Sequence, residues 1–153
     1  MKNKINSIFL IFIFNCTIIF NAYGIDIFNF DVTELEIIED GNKFIGKNSG
    51  TVTSENGTVI KAKNFEYDKI KNILIAFGNV EITDDKENIL IKSQKITYLK
   101  NKEIVYTNKR SKVISDGIEI DADNFEYNKI NNTINASGNV EIDNKDENYL
   151  IYA

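Results

Sequence analysis

Few residues in this 153-residue chain could carry out chemistry. The chain contains no His, Pro or Trp, and its only cysteine is Cys16. A Ser-His-Asp or Cys-His catalytic group, a His or Cys metal site and a structural disulfide are therefore excluded beyond residue 24 by residue supply. The remaining candidates for chemistry are carboxylates.

Two pairs of glutamates recur and invite a hydrolase interpretation. Glu66 with Glu126, and Glu81 with Glu141, could supply the paired carboxylates of a glycosidase. Each glutamate alternates with apolar residues, however, so its side chain should point to solvent. We therefore do not expect an enzyme.

Two acidic segments, residues 84–87 and 143–148, superficially resemble calcium loops. They lack the glycine and the terminal glutamate of an EF-hand loop, so they indicate solvated turns. We expect no metal and no cofactor.

The first segment has the pattern of a secretory signal. Two lysines precede an apolar run from Ile8 to Phe20, and Ala22 to Gly24 then form a small-x-small cleavage pattern. The run is shorter than the roughly 20 residues that a membrane-spanning helix needs. We expect residues 1–24 to be a cleaved signal peptide, with an uncleaved N-terminal anchor as the alternative, and residues 25–153 to be one exported domain.

The exported part would be acidic. Without the first 24 residues, 16 basic residues remain against 23 acidic ones, a net charge of about −7. Because a basic patch for phosphate backbones is missing, nucleic acid is not an expected partner. The composition, 42% hydrophobic and 27% charged, is that of a chain that folds.

The chain is built from duplicated units. Residues 57–91 align with residues 117–151, and 20 of the 35 positions are identical. A weaker period of about 30 residues lies beneath this repeat, in the pattern apolar-x-apolar-x-small-x-x-apolar-x-apolar. One copy of the pattern begins at Thr58 and another at Ile118.

Alternation with a period of two, filled by Ile, Val, Thr, Phe and Tyr, predicts strands rather than helices. The x-x in the middle of each unit shifts the alternation by one residue, and a bulge there would return the later apolar pair to the same face. Asp40-Gly41, Asn56-Gly57 and Asp116-Gly117 predict type I′ hairpin turns. Each unit is thus two strands.

One face of the sheet is expected to be buried, and its middle carries little side chain. Along residues 73–82 and 133–142, the even positions stay apolar or small in both copies, including Ala76 and Gly78. Either these small residues let Phe65 or Tyr67 pack closely, or they leave a trough for a slender apolar ligand. Arg110 interrupts the alternating pattern. It is either a solvated charge in a turn or a cation that could bind an anionic head group.

Several motifs resemble a known family. Phe65-Glu66-Tyr67 and Ala76-x-Gly78-Asn79-Val80-x-Ile82, with their copies at 125–127 and 136–142, resemble the OstA-like domain of lipopolysaccharide transport proteins. This family includes the bridge protein LptA and the N-terminal periplasmic domain of LptD. The opening at residues 26–30 is most similar to LptD.

The resemblance implies an all-β antiparallel jellyroll, or "β-taco" solenoid, located in the periplasm or at the periplasmic face of the outer membrane. It implies an apolar groove for the acyl chains of lipid A, end-to-end stacking with other OstA-like domains through edge strands, and contact with the outer-membrane assembly machinery. The predicted groove residues share the inner face: Ile60, Ala62, Phe65, Tyr67, Leu74, Ala76, Gly78, Val80, Ile82, Ile91, Ile96, Tyr98, Ile120, Ala122, Phe125, Tyr127, Ile134, Ala136, Gly138, Val140 and Ile142.

A purely structural β-solenoid or adhesin-like passenger domain with a filled core is the alternative. Such a core should place bulky residues at every inner position, whereas Ala62, Ala122 and Ala136 fall short. The last unit stops part-way, which predicts a domain truncated at its C-terminus.

Overall fold

The computed structural model describes residues 28–144 and 149–152. Regular structure in this part of the chain is β-strand, apart from 3-10 turns at Glu39–Gly41 and Lys100–Lys102. No helix among the described residues is long and apolar enough to span a membrane. The predicted signal peptide, residues 1–24, lies outside the described residues. The strands are β1 (Asn29–Ile38), β2 (Lys43–Thr53), β3 (Val59–Ala62), β4 (Asn64–Asp68), β5 (Ile73–Asp84), β6 (Ile89–Leu99), β7 (Ile104–Thr107), β8 (Ser111–Ser115), β9 (Ile118–Ala122), β10 (Asn124–Asn128), β11 (Thr133–Ser137), β12 (Glu141–Asn144) and β13 (Tyr149–Tyr152).

These strands form one antiparallel sheet that is folded over on itself, as the predicted all-β fold requires. The long strands β1, β2, β5 and β6 run through the fold line, which we call the crease. The upper half contains the start of β1, the end of β2, β3, the end of β5, the start of β6, β8, β9, β12 and β13. The lower half contains the end of β1, the start of β2, β4, the start of β5, the end of β6, β7, β10 and β11.

The crease contains backbone bulges. Gly78 and Asn79 have φ of 83° and 52°, and Gly138 and Asn139 have φ of 76° and 48°, all in the left-handed region that favours glycine and asparagine. The pairing of β5 with β6 shifts register across the first of these bulges. These bulges were not predicted, because the sequence indicated a bulge at the x-x of each unit, residues 63–64 and 123–124.

Two backbone hydrogen bonds tie neighbouring strands together at the crease. The Lys63 amide donates to the Gly78 carbonyl at 2.9 Å, and the Asp123 amide donates to the Gly138 carbonyl at 2.8 Å. Lys63 separates β3 from β4, and the residues on either side of the crease, Ala62 and Phe65, are both buried. The sheet therefore bends at residues 63–64, where the alternation in the sequence shifts by one residue.

Opposite the crease, the turns of the two halves face each other across an opening that we call the mouth. The upper turns include residues 54–58 and 85–88, and the lower turns include residues 100–103 and 129–132. Asp116 and Gly117 have φ of 48° and 82°, as a type I′ turn requires, so that prediction is confirmed. The prediction was wrong for Asn56-Gly57, where only the glycine has a positive φ and the turn spans residues 54–58.

Candidate functional site

The inner face between the two halves contains most of the residues predicted from the sequence. The fully buried ones come from β3 to β6, β9 and β10, and the partly buried ones pack against them near β9, β11 and β12. The buried residues are Ile60, Ala62, Phe65, Tyr67, Leu74, Ala76, Val80, Ile82, Ile91, Ile96, Tyr98, Ala122, Phe125 and Tyr127. The partly buried residues are Ile120, Ile134, Ala136, Val140 and Ile142.

Gly78 and Gly138 are not part of this inner face. A Cβ atom at Gly78 would lie 3.0 Å from Cβ of the exposed Lys63, and one at Gly138 would lie 3.1 Å from Cβ of Asp123. Because the bulge turns both glycines away from the interior, their small size serves the bend. The inner-face assignment of these two residues is corrected accordingly.

The inner alanines lie beside the crease, where the two halves converge. Ala62 and Ala122 end β3 and β9, and Ala76 and Ala136 precede the glycine bulges. Ala76 is the cross-strand partner of Phe65. Small side chains at the vertex therefore let the halves approach, while bulkier side chains fill the interior further out.

An aromatic cluster fills the interior near β1. The Phe28 ring packs edge-on against Tyr67 at 5.0 Å and against Tyr98 at 5.6 Å between centroids. Phe30 stacks on Phe44 at 5.7 Å. These phenylalanines were not among the predicted groove residues, although Phe28 and Phe30 have the spacing of an inner-face pair. Val52, Ile89, Val105 and Val113 were also missed and are buried in the same core.

The interior is less covered towards the other end of the sheet. Ile120, Ile134 and Val140 are only partly buried, while Phe125 beneath them is 2% exposed. The apolar interior is thus continuous from β1 to β12 and becomes more accessible along the chain.

A buried ion pair closes the mouth. The Lys129 ammonium in the lower half contacts the Asp84 carboxylate in the upper half, and it donates to the Thr58 hydroxyl at 2.5 Å. The Lys129 and Asp84 side chains are 8% and 4% exposed. The interpretation of residues 84–87 as a solvated turn was wrong for Asp84, because this residue continues the inner phase of Val80 and Ile82. The position of Asp84 in the period-two alternation is the sequence signal from which its burial could have been predicted.

A second bridge lies beside the first. Asn56 Nδ2 in an upper turn donates to Glu103 Oε2 in a lower turn at 3.0 Å. Lys100 Nζ donates to Glu103 Oε1 at 2.5 Å, and the Tyr98 hydroxyl also donates to this carboxylate. Burial, together with the Glu103 charge, raises the pKa of Tyr98, so its hydroxyl stays protonated as a donor.

Arg110 is engaged on the protein surface. Its guanidinium forms an ion pair with Glu141 at 2.9 Å and donates to the Asn139 carbonyl at 2.8 Å. This geometry fits the interpretation of a surface charge. Glu81, which corresponds to Glu141 in the earlier repeat, forms an ion pair with Lys92 at 3.6 Å. Within the described residues, no group of three His, Cys, Asp or Glu side chains is placed to hold a metal.

The fold resembles that of a lipopolysaccharide transport protein. The crystal structure of LptH, the LptA homologous periplasmic component of the conserved lipopolysaccharide transport device from Pseudomonas aeruginosa, matches with a TM-score of 0.63. The match covers 84% of this chain and 94% of LptH at 13% sequence identity, so it concerns the fold. The predicted β-jellyroll is thereby confirmed.

The family follows from the sequence of residues 26–145, which match the family model described as "Lipopolysaccharide-assembly, LptC-related". The chain belongs to this family. No curated protein sequence matches it. The resemblance to lipopolysaccharide transport proteins is therefore right at the level of the family, and the matching model is LptC-related and not specific to the N-terminal domain of LptD.

Proposed function

We propose that this chain is a periplasmic lipopolysaccharide-binding domain, which shields the acyl chains of lipid A between the two halves of its folded sheet. The observation that carries the proposal is the continuous apolar interior, to which strands β2 to β10 contribute buried side chains. Acyl chains in such an interior are removed from water, which stabilises them in proportion to the buried area. The function needs no catalytic group.

The same proposal includes end-to-end stacking with other OstA-like domains of the outer-membrane assembly machinery. Among the described strands, β1 stands at one end of the sheet order and β13 at the other. Leu35, Ile37 and Ile151 are 42%, 53% and 47% exposed on these strands. An edge strand with exposed apolar residues favours pairing with a strand of another domain. The likeness to the N-terminal domain of LptD stays a prediction.

Mass spectrometry of the purified protein tests the lipid part of this proposal. We expect a co-purified acylated lipid with the unmodified protein, and less of it with Ala136→Leu, which fills the less covered part of the interior. Ser137→Leu is the matched control, because Ser137 is the next residue of β11 and is exposed. Loss of lipid from both variants, or no lipid in any of the three proteins, contradicts the proposal.

A filled structural solenoid is the second candidate, and the aromatic packing favours it. Phe65, Tyr67, Tyr98 and Tyr127 are at most 1% exposed, so the interior near them is occupied by the protein itself. In that case Ala136→Leu would destabilise the protein by overpacking, by about 1–3 kcal/mol, without any change in bound lipid. Urea denaturation of the same two variants separates the candidates.

A further inference from the structure

The mouth is closed by charges that a folded chain rarely buries. Asp84 and Lys129 come from opposite halves of the sheet and are 45 residues apart in the chain. Removing two charges from water carries a large desolvation penalty, and their mutual attraction roughly offsets it. Such a pair fixes which turns meet but adds little to stability. It is therefore a contact that can exchange for another one of similar strength.

An unsatisfied hydroxyl lies beside this pair. Tyr127 Oη is buried and has no hydrogen-bond partner among the described residues. The equivalent tyrosines of the earlier units are bonded, since Tyr67 donates to Asn72 at 3.1 Å and Tyr98 donates to Glu103. A buried hydroxyl without a partner is unfavourable, because it has lost its hydrogen bonds to water. The closed mouth thus leaves one donor unused at this position.

The groups at this point define the chemistry of a ligand. Lys129 Nζ lies 5.8 Å from the centroid of the Tyr127 ring, so the ammonium and the hydroxyl belong to one small region. Burial and the nearby Asp84 charge raise the pKa of Tyr127, so the hydroxyl stays protonated. The ammonium and the hydroxyl are both hydrogen-bond donors, and an anionic oxygen can accept from both.

The surroundings set the shape of that ligand. A cleft of about 250 Å³ opens at the ion pair, and its lining includes the side chains of Lys86 and Lys129 and those of Asp84, Glu87 and Glu103. The apolar interior lies on the other side, where Tyr127 and Phe125 are buried. A molecule with its polar end in the cleft would direct its other end into the interior. That arrangement fits an amphiphile.

We propose that Asp84 and Lys129 form a gate in the mouth, and that an amphiphile with an anionic phosphate head opens it by accepting hydrogen bonds from Lys129 Nζ and Tyr127 Oη in place of Asp84. When the gate opens, Asp84 and the neighbouring Glu87 and Glu103 become solvated, and the acyl tails enter between the halves. This inference rests on the proposed function, because it adds a head-group site to the same interior.

The first test measures binding of a short-chain phosphatidic acid by calorimetry to the unmodified protein, Tyr127→Phe and Tyr67→Phe. We expect Tyr127→Phe to fold with equal or greater stability and to bind about tenfold more weakly, because one hydrogen bond to the head is lost. Tyr67→Phe is the matched control, and it should lose stability but keep its affinity. A Tyr127→Phe variant that is destabilised, or that binds with unchanged affinity, overturns the gate.

The second test locks the mouth. Asn56→Cys and Glu103→Cys are combined in a Cys16→Ser background, and a short bifunctional thiol crosslinker joins the two turns. Binding is compared before and after crosslinking, and we expect it to be lost after. Lys92→Cys with Lys112→Cys is the control, because these residues are cross-strand neighbours within the upper half. Unchanged binding to the locked protein overturns the proposal even if Tyr127→Phe does not fold.

Three ligands distinguish the sources of the signal. Phosphatidylcholine of the same chain length tests the need for an anionic head, and inorganic phosphate tests the need for a tail. Equal affinity for either of them contradicts the gate. If the unmodified protein binds neither amphiphile, the gate fails, and the mass spectrometry of co-purified lipid decides the proposed function separately. If it binds phosphatidic acid with no effect of Tyr127→Phe or of the lock, only the gate fails.

Discussion

At the scale of the residue, Asp84 and Lys129 form an ion pair that is buried between the two halves of the sheet. Their contact joins the two halves, and the Thr58 hydroxyl satisfies a further donor position of the ammonium. Removing one partner leaves the other charge desolvated and unpaired, whereas removing both partners leaves no buried charge at this position. The two kinds of substitution should therefore differ strongly.

We expect Lys129→Met to lower the free energy of unfolding by about 3 kcal/mol, because it leaves the Asp84 carboxylate buried without its counterion. Combining it with Asp84→Asn should restore most of this loss. Urea denaturation measures both, and Lys92→Met, which removes one partner of an exposed pair, is the control. Equal losses in the single and double variants would contradict a buried ion pair.

Alkaline pH should destabilise the protein through two tyrosines. Burial raises the pKa of Tyr98 and of Tyr127 above the ordinary value of 10.0. The unfolded chain therefore loses these protons at a lower pH than the folded chain, so their contribution to stability is complete below about pH 10 and falls above it.

The expected slope is up to about 2.7 kcal/mol per pH unit for the two tyrosines together. Urea denaturation between about pH 8 and about pH 11 measures it. Tyr127→Phe should roughly halve the slope, because one of the two groups no longer titrates. A stability that stays flat over this range would contradict the burial of both hydroxyls.

The sequence placed most inner residues correctly but misjudged the charged ones. The period-two alternation identifies Ile82 and Tyr127 as inner residues, and the same alternation also places Asp84 and Lys129 in phase with them. Their charged side chains nevertheless indicated exposure to solvent, since single charges are seldom buried. The contact joins residues 45 positions apart, and no local pattern could reveal that the two charges meet.

At the scale of the element, the attachment of β1 to β2 depends on the absence of a side chain. A Cβ atom at Gly50 would lie 2.6 Å from the Val32 Cα atom, which belongs to the backbone of β1. At Gly46 the nearest atoms would be side-chain carbons of Phe65 and Val32 at 3.2 Å, which can move slightly. A side chain added at Gly50 should therefore displace β1 more than a side chain added at Gly46.

We expect Gly50→Ala to push β1 away from β2 at the crease and to destabilise the protein by about 1–3 kcal/mol. Hydrogen exchange of the β1 amides should become faster than in Gly46→Ala, which is the matched control. Unchanged protection of β1 in Gly50→Ala would contradict the close approach of the two strands.

The strands could be predicted because they follow from local alternation, whereas the bulges at Gly78-Asn79 and Gly138-Asn139 were missed. The fold line was harder, because it arises only when the bulges of many strands line up. The small residues near it illustrate the point. Ala76 and Gly78 look alike in sequence, yet Ala76 is buried at the vertex and Gly78 turns outward.

At the scale of the whole molecule, the edge at β1 should bind another β-domain by strand addition. A photoreactive residue in place of Leu35 is expected to give a discrete adduct with a related β-domain in cells. Ile70 is the control, since it is 73% exposed but lies in a turn away from the edge. A concentration-dependent smear from Leu35, or equal adducts from both positions, would contradict stacking.

The most direct test of lipid shielding compares two neighbouring residues of β11. Ile134 is partly buried on the inner face, and Asn135 is exposed on the outer face. A photoreactive residue at each position is activated in cells, and the adducts are probed for lipopolysaccharide. We predict an adduct from position 134 and none from position 135. Adducts of equal strength from both positions, or an adduct from position 135 alone, would contradict an acyl-chain site between the two halves.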